Sequence, residues 1–243
     1  KKILDHGVLV MEYLPGHTMD YHTELMLAAP CLADIHSVQI PESEEVLIHP
    51  QNPLKAILEE CEEMFKVYLE SPLGDEEKKI YIRELLDLGW KREAETRLES
   101  GYQCCINTEL NSTNFLINGE GKSNYLIDWE KPLFGNPAQD LGHFLAPTTT
   151  FWKTDVILTS EEIEKFIDAY IKAVGNRFKT DMIREHTHAF IPITCLRGIT
   201  WCAMAWVQYQ QPDKLIFNES TFKKLNAYLD MDFLKNIRGY LEP

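Results

Sequence analysis

The distribution of apolar and polar positions predicts a short strand-rich start followed by a mostly helical body. The β-branched and apolar run Gly7–Leu14 predicts a strand, and Pro15–Gly16 directly after it predicts a turn. The shorter segment Lys1–Leu4 is the expected partner of that strand. Residues 1–16 are therefore predicted to form a small pair of strands ahead of the helices.

Apolar residues at helical spacing predict the elements that make up most of the chain. The stripe that starts at Thr18 contains Pro30, which predicts two helices there because proline has no N–H to donate. Pro192 likewise predicts a kink or a division of the helix over 180–210. Further helices are predicted from Pro53 to residue 69 and over 76–98, 160–174 and 219–240.

The middle of the chain contains the other predicted strands. Residues 103–106 and 113–117 have short strand-like patterns, and Asn118–Gly119 is a hairpin signal that leads into a second strand, Tyr125–Trp129. One hairpin inside a helical chain predicts an α+β fold that is mostly helical.

The composition and charge exclude several function classes. The chain has 38 acidic and 24 basic residues and a net charge of −14, so no nucleic-acid partner is expected, because phosphate binding needs a surplus of cations. No apolar run approaches the roughly 18 residues that cross a bilayer, and no membrane partner is expected. The six cysteines form no Cys-x-x-Cys pair and indicate the buried thiols of a reduced, cytoplasmic protein.

Carboxylate and amide side chains concentrate in residues 107–140. Glu109 and Asn114 lie five residues apart ahead of the hairpin, and Asp128 ends the strand that follows it. Paired strands would bring these oxygens to one end of the hairpin, where they would suit Mg²⁺ shared with a phosphate. Spacing alone leaves open the alternative that Asn114 and Asp128 only cap turns.

The order of these motifs resembles the catalytic segment of the aminoglycoside phosphotransferase and choline kinase superfamily, small-molecule relatives of protein kinases. Gly7–Gly16 looks like the family's last amino-lobe strand and hinge, and Leu32–His36 resembles the helix end that follows the hinge. The other matching stretches are Thr108-Glu109-Leu110, Asn114-Phe115-Leu116-Ile117, Leu126-Ile127-Asp128-Trp129-Glu130 and Gly135-Asn136-Pro137-Ala138-Gln139-Asp140-Leu141.

The resemblance implies the C-terminal lobe of a protein-kinase-like fold with a catalytic β-hairpin. Residues 1–16 would be a remnant of the N-terminal lobe, and residues 17–243 would form the helical C-terminal lobe that carries the catalytic and metal-binding segment, 107–140. Of the family's N-terminal lobe, the glycine-rich loop, the strand lysine and the helix glutamate have no counterpart in the sequence. The chain alone is therefore expected to bind nucleotide weakly and to turn over little.

The resemblance also implies roles for residues of the catalytic segment. Asp128 would chelate the Mg²⁺ that bridges the nucleotide phosphates, and Asn114 would hold the second metal position. Glu109 takes the place of the catalytic base. Asp140 would brace the catalytic loop, residues 107–109, by hydrogen bonds to its backbone, and Asn107 stands in that loop where the family has histidine.

A nucleotide site is implied at the hinge. Backbone groups of Glu12, Tyr13 and Leu14 would contact the adenine, and Leu116 and Ile127 would line the floor beneath it. The implied cofactors are Mg²⁺ and either ATP or GTP as phosphoryl donor.

The predicted activity is transfer of the γ-phosphoryl group to a hydroxyl of a small acceptor between the catalytic loop and the C-terminal helices. An aromatic group of Trp201, Trp206 and Tyr209 would suit a cationic acceptor that is aminoglycoside-like or choline-like, although core packing is the commoner fate of such side chains. Glu109 in place of aspartate and Asn107 in place of histidine support an alternative, a catalytically weakened pseudoenzyme or a nucleotide-binding module of the same fold.

Overall fold

The start of the chain forms the predicted pair of strands, but the second strand is shorter than predicted. The computed structural model describes residues 2–3, 9–40, 47–98, 101–211 and 217–242. Strand β1 (Lys2–Ile3) pairs antiparallel with β2 (Leu9–Val10). Of the residues predicted to form these two strands, 1, 4, 7 and 8 lie outside the described residues, and residues 11–14 have no strand assignment.

Helix α1 (Tyr21–His36) is continuous, so the predicted division at Pro30 is wrong. The helix begins at Asp20, whose side chain accepts a hydrogen bond from the backbone N–H of His22. Pro30 is exposed, as is Met26 four residues earlier, so the carbonyl that loses its helical donor is open to water. The buried face of α1 packs against the core and keeps the helix intact.

Three helices lie close to where the sequence predicts them. These are α2 (Pro53–Glu70), α3 (Glu76–Glu95) and, later in the chain, α6 (Ser160–Val174). Asn52 caps the N-terminus of α2, and Thr159 forms a capping box with Glu162 at the start of α6. The prediction succeeds here because apolar periodicity and local caps agree.

Two short helices that the sequence pattern did not reveal connect the hairpin region to α6. Helix α4 (Pro137–Leu145) and helix α5 (Pro147–Thr154) each have a proline in the first turn. Asn136 caps α4, whereas no side chain caps α5. Each helix is too short for a clear apolar period, and burial in the core compensates for the weak helix propensity of the threonines in α5.

The 27-residue helix α7 (Ile183–Tyr209) forms the centre of the core and packs against α2 and α4. Pro192 lies inside α7 and does not divide it. No unbroken apolar run in the sequence is long enough to cross a bilayer, but by length and mean hydropathy α7 is the one helix in the described part of the chain that could span a membrane. In the protein, 67% of its most apolar window is buried. Such burial is typical of a core helix.

The C-terminal segment contains two helices instead of the single predicted helix over 219–240. Helix α8 (Glu219–Tyr228) ends at Leu229, and Asp230 caps the start of α9 (Met231–Leu241). The side chain of Asp230 accepts a hydrogen bond from the backbone N–H of Asp232. A cap within a periodic apolar pattern therefore separates two helices.

Two further small sheets contain the strands of segment 107–140. In the first, β3 (His17–Thr18) pairs with β5 (Phe115–Ile117), which pairs with β6 (Tyr125–Leu126). In the second, β4 (Cys104–Ile106) pairs with β7 (Leu133–Gly135).

The sheets correct two strand predictions. The β5–β6 hairpin has the longer loop 118–124 rather than a two-residue Asn-Gly turn, and β6 ends at Leu126 instead of Trp129. The architecture is nevertheless the predicted one, a mostly helical α+β lobe with a hairpin in its middle.

Candidate active site

The catalytic loop and the hairpin each contain a residue with an unusual backbone conformation. Thr108 has φ 68° and Asp128 has φ 65°, both in the left-handed region that non-glycine residues rarely adopt. Such conformations cost about 1–3 kcal/mol each and persist where the surroundings impose them. These two positions therefore depend on hydrogen bonds from neighbouring segments.

Asp140 supplies those bonds to the catalytic loop. Its buried carboxylate, in the first turn of α4, accepts hydrogen bonds from the backbone N–H of Asn107 at 2.8 Å and of Thr108 at 2.7 Å. The hydrogen bonds predicted for Asp140 are thus present. They fix the backbone just before Glu109.

A buried histidine at the end of α1 also contacts Asp140. The Nε2 atom of His36 lies 3.2 Å from the Asp140 carboxylate, and its Nδ1 atom lies 2.8 Å from the hydroxyl of Tyr170. The motif Leu32–His36 was part of the sequence resemblance, but its spacing did not reveal this partner. The contact connects α1 and α6 to the catalytic loop through one carboxylate.

Asn107 joins the catalytic loop to the end of the hairpin. Its Nδ2 atom donates to the backbone carbonyl of Asp128 at 2.9 Å, and its Oδ1 atom accepts from the backbone N–H of Glu109 at 3.1 Å. The amide of asparagine can both donate and accept, so one buried side chain holds both segments.

Asn114 and Asp128 lie at the same end of the hairpin. The backbone N–H of Ile127 donates to the carbonyl of Asn114 at 2.9 Å, which places Asp128 one residue beyond this pairing. Asn114 Nδ2 donates to the Glu109 carbonyl at 3.0 Å. Asp128 is exposed, and within the described residues its carboxylate has no hydrogen-bond or ion-pair partner.

The donor set at this end of the hairpin fits a hard cation such as Mg²⁺. The amide nitrogen of Asn114 is used within the protein, its oxygen accepts only a long hydrogen bond of 3.5 Å from the Thr113 hydroxyl among the described residues, and the Asp128 carboxylate is available. Among the described residues there is no group of three or more His, Cys, Asp or Glu side chains that could hold a metal alone. A cation here would take its other ligands from water or a ligand phosphate.

The hinge segment lies next to part of the predicted adenine floor. Thr18 of β3 pairs with Leu116 of β5, and a Cβ atom added to Gly16 would lie 2.9 Å from the Leu116 side chain. Glu12 and Tyr13 are exposed, with Tyr13 at 87%. The Leu14, Leu116 and Ile127 side chains are half-buried.

A cavity of about 300 Å³ opens between the catalytic loop and the C-terminal helices. Glu109, Trp152 and Trp201 line it, and the two tryptophan rings lie edge-to-face at a centroid distance of 5.2 Å. Trp206 and Tyr209 instead pack against the hydrophobic core. The predicted aromatic group is therefore divided, and only Trp201 of the three lines the cavity.

A second cavity of about 180 Å³ adjoins the first, and both are lined by His143 and Arg197. Burial, aided by the charge of Arg197, lowers the pKa of His143 from about 6.5 to about 3, so the imidazole is neutral at neutral pH. Sequence reasoning missed both residues. One signal for Arg197 was available, because it is the only charged residue in 189–207.

The sequence profile of the phosphotransferase enzyme family matches residues 2–185 of the chain. No curated protein matches this chain in sequence.

Solved structures with the same fold include choline kinase from Cryptosporidium parvum Iowa II, with a TM-score of 0.64 and 12% identity over 95% of this chain and 70% of that one. Ethanolamine kinase from Plasmodium vivax matches with a TM-score of 0.61 and 14% identity, over 94% of this chain and 65% of that one. A spectinomycin phosphotransferase in complex with ADP and spectinomycin has a TM-score of 0.61 and 15% identity, over 95% of this chain and 69% of its own.

This chain thus spans about two thirds of the length of these proteins, and the shared fold is the protein-kinase-like one. The family profile covers the hinge, the catalytic loop, the hairpin and α4, which are the segments that build the site described above. The chain belongs to the phosphotransferase enzyme family.

Proposed function

We propose that the protein containing this chain is a small-molecule kinase that transfers the γ-phosphoryl group of ATP or GTP to a hydroxyl of a small, cationic acceptor. The observation that carries the proposal is the position of Glu109. Its backbone is fixed by Asn107 and Asn114, and its side chain lines the 300 Å³ cavity. A hydroxyl that enters this cavity meets a carboxylate next to the predicted metal-binding end of the hairpin.

Asp128 and Asn114 are the residues that would hold Mg²⁺. The cation would neutralise charge on the transferring phosphoryl group, as metal ions do throughout this class of reaction. Glu109 would accept the proton of the acceptor hydroxyl and orient its oxygen, while the buried Asp140 keeps the loop in place. Glu12, Tyr13 and Leu14 would bind the adenine through the backbone, over Leu116 and Ile127.

The acceptor class follows from the lining of the cavity. Among the described residues, Glu109 and Arg197 are the permanently charged side chains of the lining, which also contains Trp152 and Trp201. An amine or quaternary ammonium group is attracted to the face of a tryptophan ring, with about 0.5–2 kcal/mol gained depending on exposure. Trp201, which is 42% exposed, offers such a surface. The choline and ethanolamine kinases of the same fold are named for acceptors of this type.

The test is a coupled assay of the full-length protein with Mg²⁺ and ATP or GTP against amino-alcohols and amino-sugars. Turnover of one acceptor is expected, and Asp128→Asn should lower it by at least about 100-fold because a metal ligand is lost. Glu120→Gln is the matched control, since Glu120 is an exposed carboxylate in the 118–124 loop. Mg²⁺-dependent nucleotide binding without turnover would instead establish the binding module.

A further inference from the structure

A single guanidinium, that of Arg197 on α7, lies between the two cavities beside the catalytic loop. Its side chain is only 24% exposed although it is charged. The matched family profile ends at residue 185, before Arg197. A charge placed in such an apolar helix next to the proposed active site needs a physical explanation.

One edge of this guanidinium is held from the neighbouring helix α2. Arg197 Nε donates to the Glu60 carboxylate at 2.8 Å, and Arg197 Nη2 donates to its other oxygen at 3.4 Å. Because the guanidinium is planar and rigid, two bonds to one carboxylate fix its orientation. Glu60 therefore fixes the direction in which Nη2 points.

The same Nη2 atom faces the catalytic loop, 3.7 Å from Glu109 Oε1. The backbone of Glu109 is already fixed, because its N–H donates to Asn107 and its carbonyl accepts from Asn114 and Asn111. Within the described residues, Arg197 is the only ion-pair partner of the Glu109 side chain. The position of that carboxylate therefore depends on Arg197.

We propose that Arg197 is a positioning residue for the Glu109 carboxylate and that Glu60 orients Arg197 for this role. The inference rests on the proposed function, in which Glu109 receives the acceptor hydroxyl. A glutamate has one more rotatable bond than the aspartate of the family pattern, so its carboxylate can occupy more positions. A displacement of about 1 Å at a reacting group can cost about 100-fold in rate, which is why a fixed guanidinium at this distance matters.

The charges around Arg197 argue against a role as a receptor for an anionic acceptor. Its one positive charge already faces the carboxylates of Glu60 and Glu109, while the nearby His143 is neutral. The carboxylates of Glu60 and Glu109 balance the charges of Arg197 and of Lys131, which also lines the smaller cavity, so a third anion would meet no net positive charge. The structure thus favours a contact with Glu109 over a contact with substrate.

The kinetic test compares variants of the full-length protein with the acceptor found in the coupled assay. Arg197→Gln is expected to lower kcat by about 100-fold and to change the acceptor KM by less than about threefold. Arg197→Lys should recover little of the lost kcat. A flexible ammonium group lacks the planar guanidinium geometry that contacts Glu60 and Glu109 at the same time. Glu60→Gln should give a smaller loss of kcat, about tenfold, because Arg197 keeps its charge and loses only its orientation.

The matched control is Arg184→Gln, which removes the same charge from the same helix. Arg184 pairs with Glu164 and Asp168 away from both cavities, and no change in kcat is expected. In a Glu109→Gln background, Arg197→Gln should have no further effect, because its partner is gone. A raised KM with unchanged kcat, or an equal loss in Arg184→Gln, would overturn the assignment.

A measurement without turnover separates this inference from the proposed function. If no acceptor is phosphorylated, the proposed kinase function is refuted. The contact between Arg197 and Glu109 can still be followed through the side-chain ¹⁵Nε NMR signal of Arg197. That signal is expected to move in Glu109→Gln and to stay in place in Glu120→Gln. An Arg197 signal unaffected by Glu109→Gln would refute the positioning role whether or not the protein is a kinase.

Discussion

The catalytic loop and the helical body around α7 are stabilised in different ways. Around residues 107–109, buried polar side chains fix the backbone, and the two left-handed residues Thr108 and Asp128 lie where those bonds converge. In the body, α7 is buried against α2 and α4 mainly by apolar side chains. Each region should therefore respond to a different kind of substitution.

Helix α4 is where the two regions meet, and it allows them to be compared within a few residues. Asp140 contacts the catalytic loop, Gly142 contacts α7, and His143 lines both cavities. Removing the charge of Asp140 tests hydrogen bonding to the loop, and adding volume at Gly142 tests packing between helices. Changing the protonation of His143 tests the environment of the cavities.

The largest effect is expected from Asp140→Asn. The substitution weakens charge-assisted bonds to two backbone N–H groups, each worth about 1.5–3 kcal/mol. The free energy of unfolding, measured by urea denaturation followed by circular dichroism, should fall by about 3 kcal/mol.

The control for this prediction is Asp181→Asn, an exposed aspartate to which the described residues offer no ion pair or hydrogen bond. Its free energy of unfolding should change by less than about 0.5 kcal/mol. An unchanged denaturation midpoint for Asp140→Asn would show that the carboxylate does not support the loop.

The same comparison explains how far the sequence could predict the molecule. Helices α2 and α6 were predictable because their apolar spacing and their caps, Asn52 and Thr159, are local. The order of catalytic motifs was also readable from spacing, although the roles of Glu109 and Asp128 remain predictions.

What the sequence did not reveal depends on contacts between distant segments. His36 and Asp140 are 104 positions apart, and Glu60 and Arg197 are 137 apart, so no local pattern connects them. The prediction of a helix break at Pro30 failed for the same reason, because tertiary packing of α1 outweighs the local loss of one hydrogen bond.

A smaller effect is expected from Gly142→Ala, which tests packing of the body. An added Cβ atom would lie 2.4 Å from the Cβ atom of Phe190, so α4 and α7 would have to separate. Overpacking of this kind costs about 1–3 kcal/mol, partly offset by about 1 kcal/mol of helix propensity. Thermal and urea unfolding should therefore show a net loss of up to about 2 kcal/mol.

Gly239→Ala in α9 is the matched control for the packing prediction. Apart from the backbone of α9 itself and the two neighbouring residues, no atom of the described residues lies within 4 Å of a Cβ added there, and Gly239 is exposed. The substitution should stabilise the protein by about 0.5–1 kcal/mol. If Gly142→Ala stabilised the protein to the same extent, the close approach of α4 and α7 would be contradicted.

The smallest effect concerns protonation of His143. Its pKa is lowered to about 3 in the folded protein, chiefly by burial, and the ordinary value near 6.5 applies to the unfolded chain. Between these two values the unfolded state binds more protons, so stability falls as the pH falls. From pH 6.5 to 5.5 this one group should cost about 1 kcal/mol of unfolding free energy.

His143→Gln should remove this part of the pH dependence and leave the contributions of the carboxylates in place. The measurement is the difference between the wild-type and variant free energies of unfolding at pH 6.5 and at pH 5.5. Equal slopes for wild type and His143→Gln would mean that the imidazole of this half-buried side chain takes up a proton in the folded state, and would contradict its lowered pKa.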